Sequence, residues 1–346
     1  MKAVFRVDAS ATIGSGHLSR CLTLARALGR AGAEIAIASR DPSEHTRGWI
    51  AREGHGLVLL GGAREAEATR EAAGDAELVI VDGYTFGADV HDAVRRPGRI
   101  VAVVDDTGEA PVRADVVLNG NLFGEAIAYP DVPTRLLGPS YALVRDEFAE
   151  ARARDGARAA GDGRRVLVTM GGADPAGATE AFLAALDAAG PAIAPCDVTV
   201  VVGGANPRAG AIREASERPR GAHGHRIGVQ VDVLRMSDLM IEADVAVVAA
   251  GSTCLELACL GVPAVVVAVA DNQEPVAAEV ARRGLMASVG RFGPRSGAAL
   301  VAAMDALLRD RPGRQAAIDL QRATVDGVGA TRAAAALLAL ASALRP

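Results

Sequence analysis

The chain has 346 residues, a formal net charge of −5, a hydrophobic fraction of 50% and an aromatic fraction of 3%. This length favours two domains, because single hydrophobic cores stop growing at about 250 to 300 residues. The acidic balance and the lack of a basic block exclude a nucleic-acid surface, and a chain whose only lysine is Lys2 has no P-loop.

Short runs of apolar, mostly β-branched residues recur along the chain, each followed by a glycine or aspartate turn and a helical pattern. This alternation predicts βαβ units around parallel sheets. In the first half, the predicted strands are 3–7, 34–38, 57–60, 78–81, 100–104 and 116–118. In the second half, they are 166–170, 198–202, 225–229, 245–248 and 264–269.

A segment rich in charge, alanine and glycine, residues 145–165, separates the two series and has no strand signal. We therefore predict an N-terminal domain over 1–150 and a C-terminal domain over 151–346, with a last helix that could pack on either half. The predicted fold class is α/β, with two Rossmann-like, doubly wound domains. Their strand ends should face each other across a cleft, where such folds bind ligands.

The segment 5–28 begins as a strand, passes through a polar loop with Gly14 and Gly16, and enters an amphipathic helix near His17. Glycines allow a ligand to approach the backbone closely, and the first N–H groups of a helix favour anionic oxygens. A neutral imidazole at this junction suits a general base, and we predict that Asp8 orients it. Alternatively, the glycines make a tight turn, His17 bonds locally and Asp8 caps a turn.

Paired glycines follow two strands of the second half: Gly171 and Gly172 after 166–170, and Gly203 and Gly204 after 198–202. At the carboxyl ends of strands, such glycines let a nucleotide contact the backbone. Each pair is equally compatible with a simple turn.

Another strand, 245–248, leads into Gly251, Ser252 and Thr253 at the start of a helix. This loop offers backbone N–H groups and two hydroxyls to a diphosphate, without a lysine or a metal ion. Glu256, one turn into the helix, is placed to accept hydrogen bonds from ribose hydroxyls; alternatively, it completes a capping box. Asn272 and Gln273 follow the next strand, where amides suit sugar hydroxyls or acetamido groups.

Cysteine and histidine usage argues against disulfides and metal sites. Without a C-x-x-C pair or a signal peptide, we predict a cytoplasmic protein with reduced thiols at Cys21, Cys196, Cys254 and Cys259. His223 and His225 have no evident third ligand, so we predict no metal and no cofactor. No apolar run reaches the ~18 residues of a membrane span, and the tail 331–343 predicts a core helix. The sequence does not define the oligomeric state.

Several widely separated motifs occur in one order: RVDAS with IGSGHLSRCLTLA, then VDGYTF, VVDDT, LLGPSYALVRDEF, VTMGGADP, and AAGSTCLELACLGVP with DNQ. In these motifs the chain resembles, over nearly its full length, the UDP-2,4-diacetamido-2,4,6-trideoxy-β-L-altropyranose hydrolase family of pseudaminic acid biosynthesis and its spore-coat polysaccharide relatives. The resemblance implies a GT-B fold, the glycosyltransferase-like fold of the lipid-II N-acetylglucosaminyl transferase, with water in place of the sugar acceptor.

The resemblance also implies that the enzyme hydrolyses a UDP-linked amino or deoxy sugar at its anomeric carbon, releasing UDP and the free sugar. His17 matches the family's catalytic histidine and Tyr84 its cleft tyrosine. The predicted catalytic set is therefore His17, Tyr84 and Asp8. The predicted substrate and nucleotide contacts are Gly14, Ser15, Gly16, Arg20, Gly171, Gly172, Asp174, Gly203, Gly251, Ser252, Thr253, Glu256, Asn272 and Gln273.

Two other functions remain open. A glycosyltransferase of the same architecture would use the same nucleotide motifs with a sugar or small-molecule acceptor. A non-catalytic nucleotide-sugar binding protein would use His17 for recognition alone. The first domain shows no apolar surface flanked by basic residues, of the kind used to reach lipid-linked acceptors, and this favours hydrolysis.

Overall fold

The computed structural model describes residues 1–9, 16–62, 64–172, 174–204, 206–217 and 224–344. The chain forms two compact units. The N-terminal unit comprises Met1–Arg145 together with Gly327–Pro346, and the C-terminal unit comprises Asp146–Asp326.

The N-terminal unit is built on a seven-stranded parallel sheet of order β3-β2-β1-β4-β5-β6-β7. Apolar runs such as those of β1 and β4 suit a sheet that is covered by helices on both faces. The strands are β1 (Lys2–Val7), β2 (Glu34–Ser39), β3 (Gly56–Leu59), β4 (Leu78–Asp82), β5 (Ile100–Val104), β6 (Val116–Asn119) and β7 (Thr134–Leu137), with helices α1 (Gly16–Arg30), α2 (Glu44–Arg52), α3 (Glu65–Ala73) and α4 (Ala88–Ala93).

Side chains of the N-terminal sheet alternate between two cores because successive strand residues point to opposite faces. Phe5 and Val7 of β1 lie in one core with the buried side of α1, whereas Val4 lies in the other with residues of α3 and α4. The two cores fix the strand register, and with it the positions of the residues that follow each strand.

The C-terminal unit repeats this arrangement around a six-stranded parallel sheet of order β10-β9-β8-β11-β12-β13. Its helices are α5 (Asp146–Asp155), α6 (Ala178–Ala189), α7 (Ala209–Glu217), α8 (Met236–Glu242), α9 (Thr253–Leu260), α10 (Glu274–Arg282), α11 (Ser296–Arg309) and α12 (Arg311–Thr324). Its strands are β8 (Arg165–Thr169), β9 (Asp197–Val202), β10 (Arg226–Val231), β11 (Val245–Ala249), β12 (Ala264–Ala268) and β13 (Ala287–Arg291).

The last helix, α13 (Gly329–Ala343), belongs to the N-terminal unit, where its buried face packs against α1. At its start, a Cβ on Gly329 would collide with the backbone of Ala142, so a glycine is needed there. The observed division differs from the predicted boundary at 150/151, because α5 packs on α8 and α9 of the C-terminal unit. The charged segment 145–165, within which the sequence places the domain boundary, is therefore partly a packed helix.

By length and composition alone, Arg311–Ala343 would suffice to cross a bilayer. The structure divides this stretch into α12 and α13. The apolar face of α13, including Ala333, Ala334 and Leu337, is buried in the core of the N-terminal unit. This packing accounts for the apolar composition of the segment, as expected for a core helix.

The fold confirms the predicted class, two doubly wound parallel sheets. The structure also contains β7 and β13, which the sequence did not predict. Both are edge strands with partly exposed side chains, and β13 contains Gly290, so neither shows the continuous apolar run of a buried strand. In each sheet the strand order reverses at one point, between β1 and β4 and between β8 and β11, where ligands of such folds bind.

Candidate active site

A histidine and an aspartate meet at the reversal point of the N-terminal sheet. His17 is the second residue of α1, and Asp82 is the last residue of β4. Because β1 and β4 are hydrogen-bonded neighbours, with Val7 in register with Asp82, the chain that leaves β1 returns beside the end of β4. His17 Nδ1 lies 2.7 Å from Asp82 Oδ1, and the aspartate is fully buried.

The hydrogen-bond network assigns the imidazole tautomer. Arg20 donates to both Asp82 oxygens, from Nε at 2.7 Å and from Nη2 at 2.6 Å. The ionised Asp82 can only accept, so its 2.7 Å contact requires a proton on His17 Nδ1. The 2.9 Å approach of Arg20 Nη2 to the same nitrogen therefore reflects two donors that converge on one carboxylate oxygen. His17 Nδ1–H therefore donates to Asp82, and whenever the ring is uncharged its lone pair is on Nε2. Within the described residues, Nε2 makes no hydrogen bond.

The charge of Asp82 is fixed by its neighbours. Burial alone would raise the pKa of this carboxyl, but the charge and hydrogen bonds of Arg20, together with the His17 contact, hold it at about 2. Cys21 Sγ donates to the same carboxylate at 3.3 Å, and burial beside that charge raises the thiol pKa well above its usual range. Asp82 is thus an anion and Cys21 a neutral thiol near pH 7.

A second carboxylate, Asp106, extends this network towards Tyr84. Arg20 Nη1 donates to Asp106 Oδ2 at 2.6 Å, and the Tyr84 hydroxyl donates to the same oxygen at 3.1 Å. The Tyr84 ring stands edge-on to the His17 ring, with centroids 4.6 Å apart, and it is 56% exposed. Arg20, predicted to contact the substrate, instead holds two carboxylates, whereas Tyr84 lies beside the imidazole.

The predicted role of Asp8 is wrong. Its two oxygens each accept from the buried Arg6 at 2.6 Å, and one also accepts from Ser39 Oγ and the backbone N–H of Arg40. These contacts bind the carboxylate to residues of β1 and to the end of β2. The partner of the imidazole is Asp82.

Two predicted contacts, Gly14 and Ser15, lie outside the described residues. Gly16 begins α1 and is exposed, and a Cβ there would meet nothing within 4 Å. Close packing within the fold therefore does not require a glycine at this position.

The loops that follow β8 and β9 contain two kinds of glycine. At some, an added Cβ would meet open space, and at others it would collide with neighbouring atoms. Gly171 has a φ of 85°, a conformation that favours glycine, whereas Gly172 has an ordinary φ and open space where a Cβ would stand. A Cβ on Gly203 would lie 2.6 Å from Gly172 Cα and would also strike its carbonyl oxygen. Packing of the two loops thus explains Gly203, but it does not explain Gly172.

The loop after β11 presents similar features. Gly251 has an ordinary φ and open space around its potential Cβ. Ser252 is exposed at the N-cap of α9 and makes no side-chain cap hydrogen bond. Thr253 begins the helix, and Glu256 stands half-buried in its first turn. Because β8 and β11 are paired, this loop and the Gly172 loop follow neighbouring strands.

Other predicted contacts have structural roles. Both carboxylate oxygens of Asp174 accept backbone N–H groups at the start of α6, from Ala178 at 3.0 Å and Thr179 at 2.9 Å, and the residue is buried. These contacts favour a structural role, a helix cap, and its assignment as a nucleotide contact stays a prediction. Gln273 Oε1 accepts from the backbone of Val269, whereas Asn272 is exposed.

Sequence reasoning missed Asp82 and Asp106. Both stand at the carboxyl ends of predicted strands, in the runs LVIVD and VAVVDD, and those strands are neighbours in the sheet. The signal was therefore present, since a charged residue directly after a buried strand faces the ligand-binding edge of such a sheet. Within the described ranges, no group of three His, Cys, Asp or Glu side chains is placed to hold a metal ion.

Comparisons with known proteins give a relative and several structural neighbours. No family model matches the chain. The spore coat polysaccharide biosynthesis protein SpsG of Bacillus subtilis is 30% identical over 243 residues, which are 69% of each chain. MurG of Acinetobacter baumannii superposes with a TM-score of 0.70 at 15% identity, covering 98% of this chain and all of that one.

Two further neighbours share the fold. The calicheamicin glycosyltransferase CalG4 has a TM-score of 0.66 at 17% identity and covers 99% of each chain. The glycosyltransferase VinC, whose structure is a complex with dTDP, has the same score and identity, with 99% of this chain and all of that one covered. These likenesses show the two-domain GT-B fold.

Proposed function

The chain belongs to the family of the spore coat polysaccharide biosynthesis protein SpsG, and on that premise we propose that it is an enzyme that breaks the anomeric C–O bond of a nucleotide-linked sugar and transfers the sugar to an acceptor hydroxyl. The observation that carries this proposal is the His17–Asp82 dyad, whose Nε2 has no hydrogen bond from the described residues and can act as a general base.

In the proposed reaction, His17 Nε2 takes the proton of the acceptor hydroxyl while its oxygen forms a bond to the anomeric carbon. The bond from that carbon to the phosphate oxygen breaks, and its electron pair leaves with the nucleoside diphosphate. Asp82 holds the imidazole in the required tautomer and faces the positive charge that develops on it. General-base assistance of this kind contributes about 10² to 10⁴ in rate.

The charge of the cluster supports this role. Asp82 and Asp106 carry one negative charge each and Arg20 one positive charge, so the cluster has a net charge of −1 while the imidazole is neutral. Uptake of a proton by His17 makes the cluster neutral. The network is therefore already arranged for the charge that appears in the transition state.

Nucleotide binding is assigned to the C-terminal unit. Neither backbone strain nor crowding explains Gly172 and Gly251, and both follow neighbouring strands at the reversal point of the sheet. Glycines at these positions let a diphosphate lie against the loop backbone, with the first N–H groups of α9 facing its charge. We assign UDP as the nucleotide, with Ser252, Thr253, Glu256 and Asn272 as contacts.

Hydrolysis is the second candidate. The side chain of His17 is 8% exposed, which favours a nucleophile as small as water. The motifs described above resemble those of a UDP-2,4-diacetamido-2,4,6-trideoxy-β-L-altropyranose hydrolase, whose sugar product belongs to pseudaminic acid biosynthesis. The dyad could activate either water or a sugar hydroxyl. The glycosyltransferase neighbours favour transfer.

A product analysis separates the candidates. The purified protein is incubated with UDP- and dTDP-sugars in oxygen-18 water, with and without sugar acceptors, and the released nucleotide and sugar are analysed by mass spectrometry. Transfer predicts nucleotide release that depends on an acceptor and an unlabelled glycoside product. Hydrolysis predicts acceptor-independent release and label in the free sugar. Label in the nucleotide would place the attack at phosphorus and contradict both, and no release from any donor would contradict the enzymatic proposal.

A further inference from the structure

A small cavity lies in the N-terminal unit next to the dyad. Its volume is about 90 Å³, well above the ~10–15 Å³ that a single water molecule needs. Arg20, Tyr84 and Asp106 line the side that it shares with the catalytic cluster, and Phe86 and Val112 contribute apolar surface. The cavity has room for one substituent of a sugar rather than for a nucleotide.

Asp106, which lines this cavity, has an unfilled hydrogen-bond acceptor. Its Oδ2 accepts from Arg20 and Tyr84, whereas its Oδ1 is buried and has no partner within the described part of the chain. A carboxylate oxygen that is removed from water without a donor is unfavourable. A small shift of the side chain towards the cavity would let a ligand supply that donor.

The charges around the cavity favour a neutral or cationic group. Asp105, Asp106 and Glu109 line it, and Arg20 is the one arginine or lysine among its lining residues. That guanidinium is already bonded to two carboxylates. Burial lowers the pKa of His91, so this lining imidazole adds no charge near pH 7. An anionic substituent would therefore meet a negative field.

The other surfaces of the cavity suit the carbon atoms of a sugar. Tyr84 and Phe86 line it with aromatic rings, and the Arg6 guanidinium lies over the Phe86 ring, 4.2 Å from its centroid. Apolar contact on one side and an unfilled acceptor on the other match a ring carbon that carries a hydrogen-bond donor.

We propose that this cavity is a subsite for a hydrogen-bond-donating substituent of the sugar, an amino, acylamino or hydroxyl group, read by Asp106 Oδ1. The inference rests on the proposed function, since it names the substrate class of the same site. Asp106 is then a specificity residue, which binds the donor group while Oδ2 keeps Arg20 and Tyr84 in place.

The test measures direct binding of free sugars by ligand-observed NMR. The probes are glucose, the aminodeoxyglucoses with the amine at carbon 2, 3, 4 or 6, the matching N-acetyl compounds, the matching deoxyglucoses, and glucuronate. We expect one ring position at which a donor group binds about tenfold to a hundredfold tighter than the deoxy sugar, with glucuronate the weakest ligand. The amino, acylamino and hydroxyl members at that position identify which donor the site prefers.

Two variants locate the effect. Asp106→Asn keeps the shape of the side chain, and it should abolish the preference for a donor over the deoxy sugar. Ala110→Trp places a large side chain at the exposed rim of the cavity and should weaken every sugar, whereas Ala51→Trp, at an exposed position of α2 away from the cavity lining, should not. Circular dichroism checks that each variant is folded.

Equal binding of every donor and deoxy pair would overturn the subsite, as would a preference that survives in Asp106→Asn or sugar binding unchanged by Ala110→Trp. Because binding is read without turnover, these outcomes are distinct from failure of the proposed reaction. That failure would appear as intact sugar discrimination without nucleotide release from any donor.

Discussion

The reversal points of the two sheets have the same topology and opposite chemistry. Between β1 and β4, polar and charged side chains converge: His17, Asp82, Arg20 and Asp106 form one hydrogen-bonded cluster. Between β8 and β11, the corresponding loops present Gly172, Gly251 and small hydroxyl side chains around a helix start. If the proposed function holds, the difference separates two tasks within one fold: proton transfer needs titratable side chains held in place, whereas a diphosphate can be bound by backbone N–H groups.

Removing the charge of Asp82 should have the largest effect of any single change in the N-terminal unit. Asp82→Asn leaves an uncharged amide beside Arg20 and no longer fixes Nδ1 as the protonated nitrogen of His17. We expect kcat to fall by about 10³ to 10⁴, with the affinity for UDP unchanged. Steady-state kinetics and calorimetric titration with UDP measure the two quantities. A variant that keeps its kcat would show that the dyad does not act in the reaction.

The C-terminal side is tested by adding a single methyl group to a glycine loop. Gly172→Ala and Gly251→Ala should weaken UDP binding about tenfold by obstructing the diphosphate, yet leave the melting temperature unchanged because each Cβ meets open space. Gly203→Ala is the matched control, and it should lower stability by about 1–3 kcal/mol through its collision with the Gly172 backbone. Normal UDP binding in both loop variants would place the nucleotide elsewhere.

Unfolding at acid pH tests whether the lowered pKa of Asp82 contributes to the stability of the N-terminal unit. Its folded-state pKa is lowered from 3.8 to about 2, so the stability it contributes is present above pH 4 and lost as the pH falls towards 2. We expect a loss of about 2 kcal/mol over this window from Asp82, which Asp82→Asn should not show. Denaturant unfolding at a series of pH values, compared between the two proteins, measures it. Parallel curves would mean that the carboxyl is not held ionised by Arg20.

The smallest expected effect concerns Asp174, to which we assign a structural role as the cap of α6. Asp174→Ala removes both acceptors at the start of α6, so it should cost about 0.5–2 kcal/mol of stability. UDP affinity should stay the same. If that affinity falls sharply while stability is retained, Asp174 belongs to the nucleotide site and the cap is incidental.

The sequence predicted most of the fold because buried parallel strands give continuous apolar runs, and every strand so predicted is present. It missed β7 and β13, whose edge positions leave no such run. For the candidate site, it singled out His17, Arg20 and Tyr84, which the structure brings together. It chose Asp8 over Asp82 because Asp8 is nearer in sequence, whereas partners in a parallel sheet come from strands that are adjacent in space.

The same limit applied to the glycines. In sequence, Gly172, Gly203 and Gly251 all look alike, as small residues after strands. Only the folded structure shows that a side chain on Gly203 would collide with the Gly172 backbone, whereas Gly172 and Gly251 face open space. Likewise, the buried cap of Asp174 depends on how the start of α6 packs, which no local pattern in the sequence reveals.

The central claim, that the imidazole of His17 is the base, is tested most directly by replacing it with an amide. His17→Asn should bind UDP as tightly as the parent in calorimetric titration, and it should lose about 10² to 10⁴ in the rate of nucleotide release from the donor sugar. The account predicts that combination of retained binding and lost turnover. A variant that turns over at the parental rate would contradict it.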